Sequence, residues 1–278
     1  MNGARQRSLI FPREHGAWGI LLVPLATGAA VGLIAGGQAR PLAPLVVAAV
    51  ALFWLRTPVE SWLGNTPVRA RTGAEIRLVR NVIIGLSAVS IAALAATFWG
   101  GRNLSLLWLG GAAASAFVAQ AAARQVFRNG RTAGQAIGAA GLTSVAPAAY
   151  YVGTGNLDGI AWSLWAANFL FAANQIHFVH LRIAAARLLK PGEKVSRGRW
   201  FLIGQVSLIG LLIVVCLFRL PGYFFAAAFP PVLFRGFAWF AAKPAPLRIH
   251  ALGVSELLHA CVFGALLVLA FRLGVGGG

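Results

Sequence analysis

Acidic side chains are what this chain most lacks. Its 278 residues hold 6 Asp and Glu against 24 Lys and Arg, and only 11% are charged in all. A water-soluble domain carries about 25% charged residues. This chain cannot cover itself with a wettable surface, and an ordinary soluble enzyme is excluded. A disordered polymer is excluded too, because 59% of the residues are hydrophobic. Cysteine is nearly missing, with only Cys216 and Cys261 present. Two are too few for a secreted disulfide scaffold, and since both lie in apolar runs they are expected to be buried packing residues. There is no G-x-x-x-x-G-K-[ST] phosphate loop, no G-x-S-x-G elbow and no Cys-x-x-Cys pair. The basic excess of +18 is not a nucleic-acid footprint, because the Arg and Lys punctuate apolar runs and have no polar face to sit on. Positive charge retained on the cytoplasmic side of a membrane explains it.

What the chain does have is apolar length. Candidate spans are 16–37, 41–55, 79–100, 104–123, 134–153, 160–181, 200–218, 222–241 and 251–271. Most approach the ~20 residues needed to cross the hydrocarbon layer. The second is short and is expected to continue past Pro58, since Val59, Trp62 and Leu63 remain apolar. No strand alternation stands out against these runs, and open sheet edges are not tolerated in lipid. The expected fold class is therefore all-α: a polytopic transmembrane helix bundle of nine spans, one integral membrane domain over residues 1–278. The small residues of Gly138-Ala-Ala-Gly141 are expected to permit close helix packing.

Nine crossings place the termini on opposite sides. With the N-terminus in the cytoplasm, the inner segments hold 20 of the basic residues and the outer ones only Arg40, Arg102, Arg219 and Arg272. The expected location is the cell inner membrane, multi-pass, with the C-terminus outside and the lipid bilayer as first partner. The inner loops 56–78 and 182–199 are the long ones, and long connections in a compact bundle usually carry function.

Ionisable residues are expensive within a bundle and tend to face its interior. Here Glu14 and His15 open the first span. Arg56 and Glu60 close the second at i, i+4, with Asn65 beyond. Asn174, His177 and His180 follow i, i+3, i+6 on the sixth, with Arg182 next, and Glu256 and His259 are an i, i+3 pair on the ninth. Each has a plain structural reading as a dipole partner, ion pair or interfacial anchor. Together they fall at one cytoplasmic level and are expected to converge on a cytoplasm-facing cavity. Arginine and histidine beside few carboxylates suit a phosphate, diphosphate or carboxylate; Trp, Phe and Leu suit an apolar tail. The expected ligand is an amphiphilic anion. Arg56, Glu60, Asn65, Asn174, His177, His180 and Arg182 are the binding candidates, supported by Glu14, His15, Glu256 and His259. A single Glu-x-x-His pair falls short of a di-iron set, so no metal site and no cofactor is assigned. A carrier or transporter of a small amphiphile, and a haem- or metal-binding accessory protein using paired histidines, remain as alternatives.

The stretch Pro12-Arg-Glu-His-Gly-Ala-Trp18, leading into a helix with Pro24, resembles the start of the YwiC-like family, membrane proteins without an established activity. Arg56-Thr-Pro58, Gly141-Leu-Thr-Ser-Val-Ala-Pro147 and Gly253-Val-Ser-Glu256 are similar to that family as well. Nine helices with loops after spans two and six more distantly resemble the UbiA superfamily of intramembrane prenyltransferases. That resemblance implies an isoprenoid-like partner, and two Asp-rich motifs holding Mg²⁺ on a prenyl diphosphate. In Asn174-Gln-Ile-His-Phe-Val-His-Leu-Arg182 the aspartate positions are Gln175, Phe178 and Arg182, and near the first motif stand Glu60 and Asn65. The sole aspartate, Asp158, is expected outside. Magnesium prefers carboxylate oxygens, so the resemblance implies the bundle, the cavity and at most a divergent prenyl or lipid transferase without the metal-assisted step.

Overall fold

A computed structural model of the chain describes residues 3–12, 15–64, 69–99, 104–126, 130–186, 191–242 and 247–276. These residues contain no strand. The helices are α1 (Gly3–Ile10), α2 (His15–Ile34), α3 (Leu42–Trp62), α4 (Gly73–Trp99), α5 (Leu104–Val126), α6 (Gly130–Thr143), α7 (Val145–Thr154), α8 (Gly159–Ala184) and α9 (Pro191–Leu217). A 3₁₀ turn (Tyr223–Ala228), α10 (Pro230–Ala241) and α11 (Ile249–Gly276) follow. Among the described residues five segments are long and apolar enough to cross a membrane: Leu42–Trp62, Gly73–Trp99, Gly192–Leu217, Tyr223–Ala241 and Ile249–Gly274. The chain is an all-helical membrane protein.

Several local features depart from the sequence-based expectation, each for a physical reason. The helices overrun the apolar runs. α3 continues through Pro58 to Trp62 and α4 begins at Gly73; α8 reaches Ala184 and α9 begins at Pro191. The two long basic connections are thus largely absorbed into helix ends, because Arg, Lys and Glu continue a helix readily. The segment 134–153 is two helices broken at Ser144. Pro147 has no N–H to offer the Thr143 carbonyl four residues back, and its ring crowds that carbonyl. Nearby carbonyls find other donors: Trp165 Nε1 reaches Ala140 O at 3.1 Å, Ser144 Oγ reaches Gly141 O at 2.6 Å and Thr143 Oγ1 reaches Ala139 O at 2.8 Å. Cys216 and Cys261 are both exposed rather than buried. In lipid an outward face is as apolar as an inward one, so an apolar run does not reveal which way a cysteine points.

The chain divides into two compact units. The first comprises residues 1–15 and 38–103. Its α3–α4 hairpin carries α1, whose Leu9 is fully buried. The Trp54 indole donates to Ile10 O at 2.7 Å and its ring lies 4.8 Å from that of Phe11. Thr72 and Glu75 form a capping box at the start of α4: Glu75 N donates to Thr72 Oγ1 at 3.2 Å, and Thr72 N donates to Glu75 Oε2 at 3.3 Å. Arg5 Nε donates to Glu75 Oε1 at 2.7 Å and Arg5 Nη2 to Arg69 O at 3.0 Å. The hydrogen bond and then the charge of Glu75 raise the Arg5 pKa above its ordinary value.

The second unit comprises residues 16–37 and 104–278. Gly28 and Gly32 bring α2 onto α7: a Cβ on Gly28 would overlap the Ala146 backbone, and one on Gly32 would sit 3.3 Å from Tyr150 Cα. This is the small-xxx-small contact that lets two backbones approach closely in lipid. Gly141 is used similarly against α5, where an added Cβ would lie 3.1 Å from Ala116 Cβ. Asp158 caps α8, its Oδ1 accepting from Ile160 N at 3.0 Å and Ala161 N at 3.1 Å. The Tyr150 hydroxyl donates to the other carboxylate oxygen at 3.1 Å. Packing centres on Phe171, stacked at 4.3 Å on Phe263, which Phe229 meets edge-on at 5.2 Å. A second aromatic group of Phe178, Phe201, Trp239 and Phe240 joins α8, α9 and α10.

Candidate functional site

The interior face of α8 repeats about every seven residues. Leu164, Asn168, Phe171, Gln175, Phe178 and Leu181 are buried on it, and Arg182 continues its polar line from Asn168 and Gln175. Asn174, His177 and His180 occupy neighbouring faces and are half-buried. Their spacing of three residues turns through 300° each time, so the row drifts around the helix.

Opposite Phe178 stands Arg235 of α10. Its Nη1 is ion-paired with Glu256 Oε2 of α11, and the two side chains are only 8% and 5% exposed. Arg235 Nη2 donates to Asn174 Oδ1 at 3.3 Å, and its guanidinium carbon lies 4.4 Å from the Phe178 ring centroid. Gln175 Nε2 donates to the Glu256 backbone carbonyl at 2.9 Å, tying α8 to α11. Arg235 Nε and Glu256 Oε1 have no hydrogen-bond partner among the described residues. The pair is therefore joined at one corner rather than as a two-pronged fork.

A cavity of about 340 Å³ opens beside this pair. Arg182, Arg235 and His259 line it together with Phe178, Phe234 and Trp239. The Arg182 guanidinium lies 5.8 Å from the Phe178 ring centroid. Buried Lys194 of α9 closes the C-terminus of α10, its Nζ donating to Trp239 O at 3.1 Å and Ala242 O at 2.6 Å. The same ammonium is 4.8 Å from the Trp239 ring centroid. His259 Nδ1 is held 2.7 Å from Ser255 O. Two guanidiniums and an imidazole thus line a hollow with three aromatic rings, two alanines and Ser255, and Glu256 is the one carboxylate bonded to either arginine among the described residues.

The structure places the sequence-derived candidates as follows. Arg182 and His259 line the cavity, and Asn174 and Glu256 reach it through Arg235. His177 packs against α9 instead, edge-on to Phe201 at 5.3 Å. His180 is half-buried farther along α8. Arg56 and Glu60 belong to the first unit, where Arg56 Nε meets Glu60 Oε1 at 2.9 Å within α3. His15 opens α2, and its side chain, like Glu14 and Asn65, lies outside the described residues. Sequence reasoning did not name Arg235 or Lys194 as site residues, and met Gln175 only as a position where the UbiA-like motif would carry an aspartate. The signal for Arg235 was available: a lone arginine inside the apolar run Pro230–Ala241 is a site candidate by default. No spacing pattern marked Gln175 or Lys194.

Among the described residues no three His, Cys, Asp or Glu side chains gather to hold a metal ion. At the positions where an Asp-rich motif would stand, Gln175 is spent on a backbone carbonyl, Phe178 is a packed ring and Arg182 is a cation. That donor set does not fit Mg²⁺.

A family model described as YwiC-like protein matches residues 11–151, from before α2 into α7. Arg182, Arg235, Glu256 and His259 lie beyond the matched stretch. No curated protein and no solved structure matches the chain.

Proposed function

The chain belongs to the YwiC-like protein family, and from that premise we propose that this membrane protein binds an amphiphilic anion in the cavity between α8, α10 and α11. One observation carries the reading: Arg182, Arg235 and His259 surround a hollow walled by Phe178, Phe234 and Trp239. Guanidinium groups match the oxygen spacing of phosphates and bind them by charge-assisted hydrogen bonds. The aromatic walls accommodate the first part of an apolar tail, whose remainder lies in the bilayer. Nine crossings with the N-terminus in the cytoplasm would open this cavity toward the inner leaflet, in keeping with the distribution of basic residues. The fold proposed for the whole chain is a bundle of the UbiA-like kind, and the function is binding of the anion rather than metal-assisted transfer.

Binding to the purified protein in nanodiscs tests the reading. Dodecyl phosphate is expected to bind, dodecyl maltoside and dodecyltrimethylammonium are not, and Arg182→Gln is expected to weaken dodecyl phosphate by about tenfold or more. Equal binding of all three amphiphiles, or no effect of Arg182→Gln, overturns it. Incubation with labelled prenyl diphosphate separates binding from transfer, since only a transferase forms covalent product.

A further inference from the structure

The proposed cavity contains its own competitor. Arg235 is buried, and an unpaired guanidinium at this depth would be strongly unfavourable. Glu256 supplies the countercharge, but through one oxygen to one nitrogen. Glu256 Oε1 and Arg235 Nε are both left over, on groups that are otherwise enclosed. A side-on pairing would use Nε and Nη2 with both carboxylate oxygens, whereas here Nη2 goes to Asn174. Arg235 also borders the cavity, so a ligand head seated there meets the same guanidinium that Glu256 holds.

Building on the binding function proposed above, we infer that Glu256 is the resident counter-ion of Arg235, which the anionic head of the ligand displaces on entry. Charge balance selects the head. A carboxylate ligand merely exchanges one carboxylate for another and gains little. A phosphate-type dianion brings a second charge and a third oxygen, enough to engage Arg235 and Arg182 together. Glu256 thereby sets specificity, rejecting weak monoanions and admitting phosphate or diphosphate heads. Asn174 and the Phe178 ring hold the guanidinium in place while its partner changes. Gln175 anchors the Glu256 backbone, so only the carboxylate needs to move.

The test compares dodecyl phosphate, dodecanoate and inorganic pyrophosphate on the wild type and on Glu256→Gln in nanodiscs. Glutamine keeps the shape and an oxygen for Arg235 but removes the charge. The wild type is expected to prefer dodecyl phosphate to dodecanoate by about tenfold or more, and Glu256→Gln to bind both more tightly with a smaller gap. Competition by pyrophosphate shows whether the head suffices without a tail. If Glu256→Gln binds dodecyl phosphate equally or more weakly, Glu256 is a positioning residue and the inference is overturned while the binding function stands. If the wild type binds neither amphiphile, both fall. Should Glu256→Gln not fold, the infrared difference spectrum of ¹³C-glutamate-labelled wild type decides. Dodecyl phosphate is expected to shift a carboxylate band that dodecyl maltoside leaves alone, and an unchanged spectrum overturns displacement.

Discussion

Arg235→Met is the most informative single change for stability. Methionine roughly fills the volume of the arginine stem and adds no polar group, so the loss is mainly electrostatic. It leaves Glu256, whose side chain is 5% exposed, without its cationic partner among α8, α10 and α11. Removing one member of a buried ion pair costs about 3–5 kcal/mol. At 1.36 kcal/mol per decade that is a change of roughly 10²–10⁴ in the folded-to-unfolded ratio. The double variant Arg235→Met/Glu256→Gln removes the orphaned charge and leaves a neutral amide, whose unmet hydrogen bonds cost about 1–3 kcal/mol. About half of the single-mutant loss, of the order of 2 kcal/mol, is therefore expected to return in the double variant. Apparent melting of the four proteins in one detergent measures it, provided all are scanned at the same rate. If the double variant is no more stable than Arg235→Met, the pair is not electrostatically coupled in the manner its geometry implies. The site description then fails at its centre.

Three other outcomes are expected, two from the structure and one from the proposed topology. Gly28→Ala forces a methyl group onto the Ala146 backbone and is expected to cost about 1–3 kcal/mol, whereas Gly110→Ala on α5 meets nothing within 4 Å and should be near neutral; matching melting temperatures would refute the close α2–α7 contact. Arg5→Ala removes the link from α1 to Glu75 and Arg69, so limited trypsin digestion near Arg7 should accelerate severalfold, and unchanged cleavage would show that Leu9 and Trp54 alone retain α1. For the proposed topology, a fluorescent protein fused before residue 1 should mature in the cytoplasm while one exported by the Sec route after residue 278 stays dark; fluorescence from both fusions would require an even number of crossings.

Membership of an all-helical membrane class was legible because composition alone forbids a water-facing surface. The YwiC-like resemblance at Pro12–Trp18 led to a family that the match over residues 11–151 upholds. The site was only partly legible. Arg182, Glu256, His259 and Asn174 were named from the sequence and lie at or next to the cavity. The row Asn174, His177, His180 drifts around α8, whereas the buried line passes through Asn168 and Gln175 toward half-buried Arg182, a distinction of about 100° per residue that short-range spacing blurs. The capping box of Thr72 and Glu75 went unread in the sequence although its spacing is local, and Arg5 as the partner of Glu75 had no signal there, because 70 residues separate them.

Sequence determined the helical, apolar character of the segments; the break before Pro147 and the caps at Asp158 and Thr72 are equally local in cause, although the apolar pattern of 134–153 suggests one unbroken span. Those are local consequences of hydropathy and backbone hydrogen bonding. Tertiary packing decided which polar group answers which. A membrane helix is apolar all round, so its sequence does not say which side faces protein. Only the approach of α8, α10 and α11 pairs Arg235 with Glu256 and turns separate residues into a charged hollow.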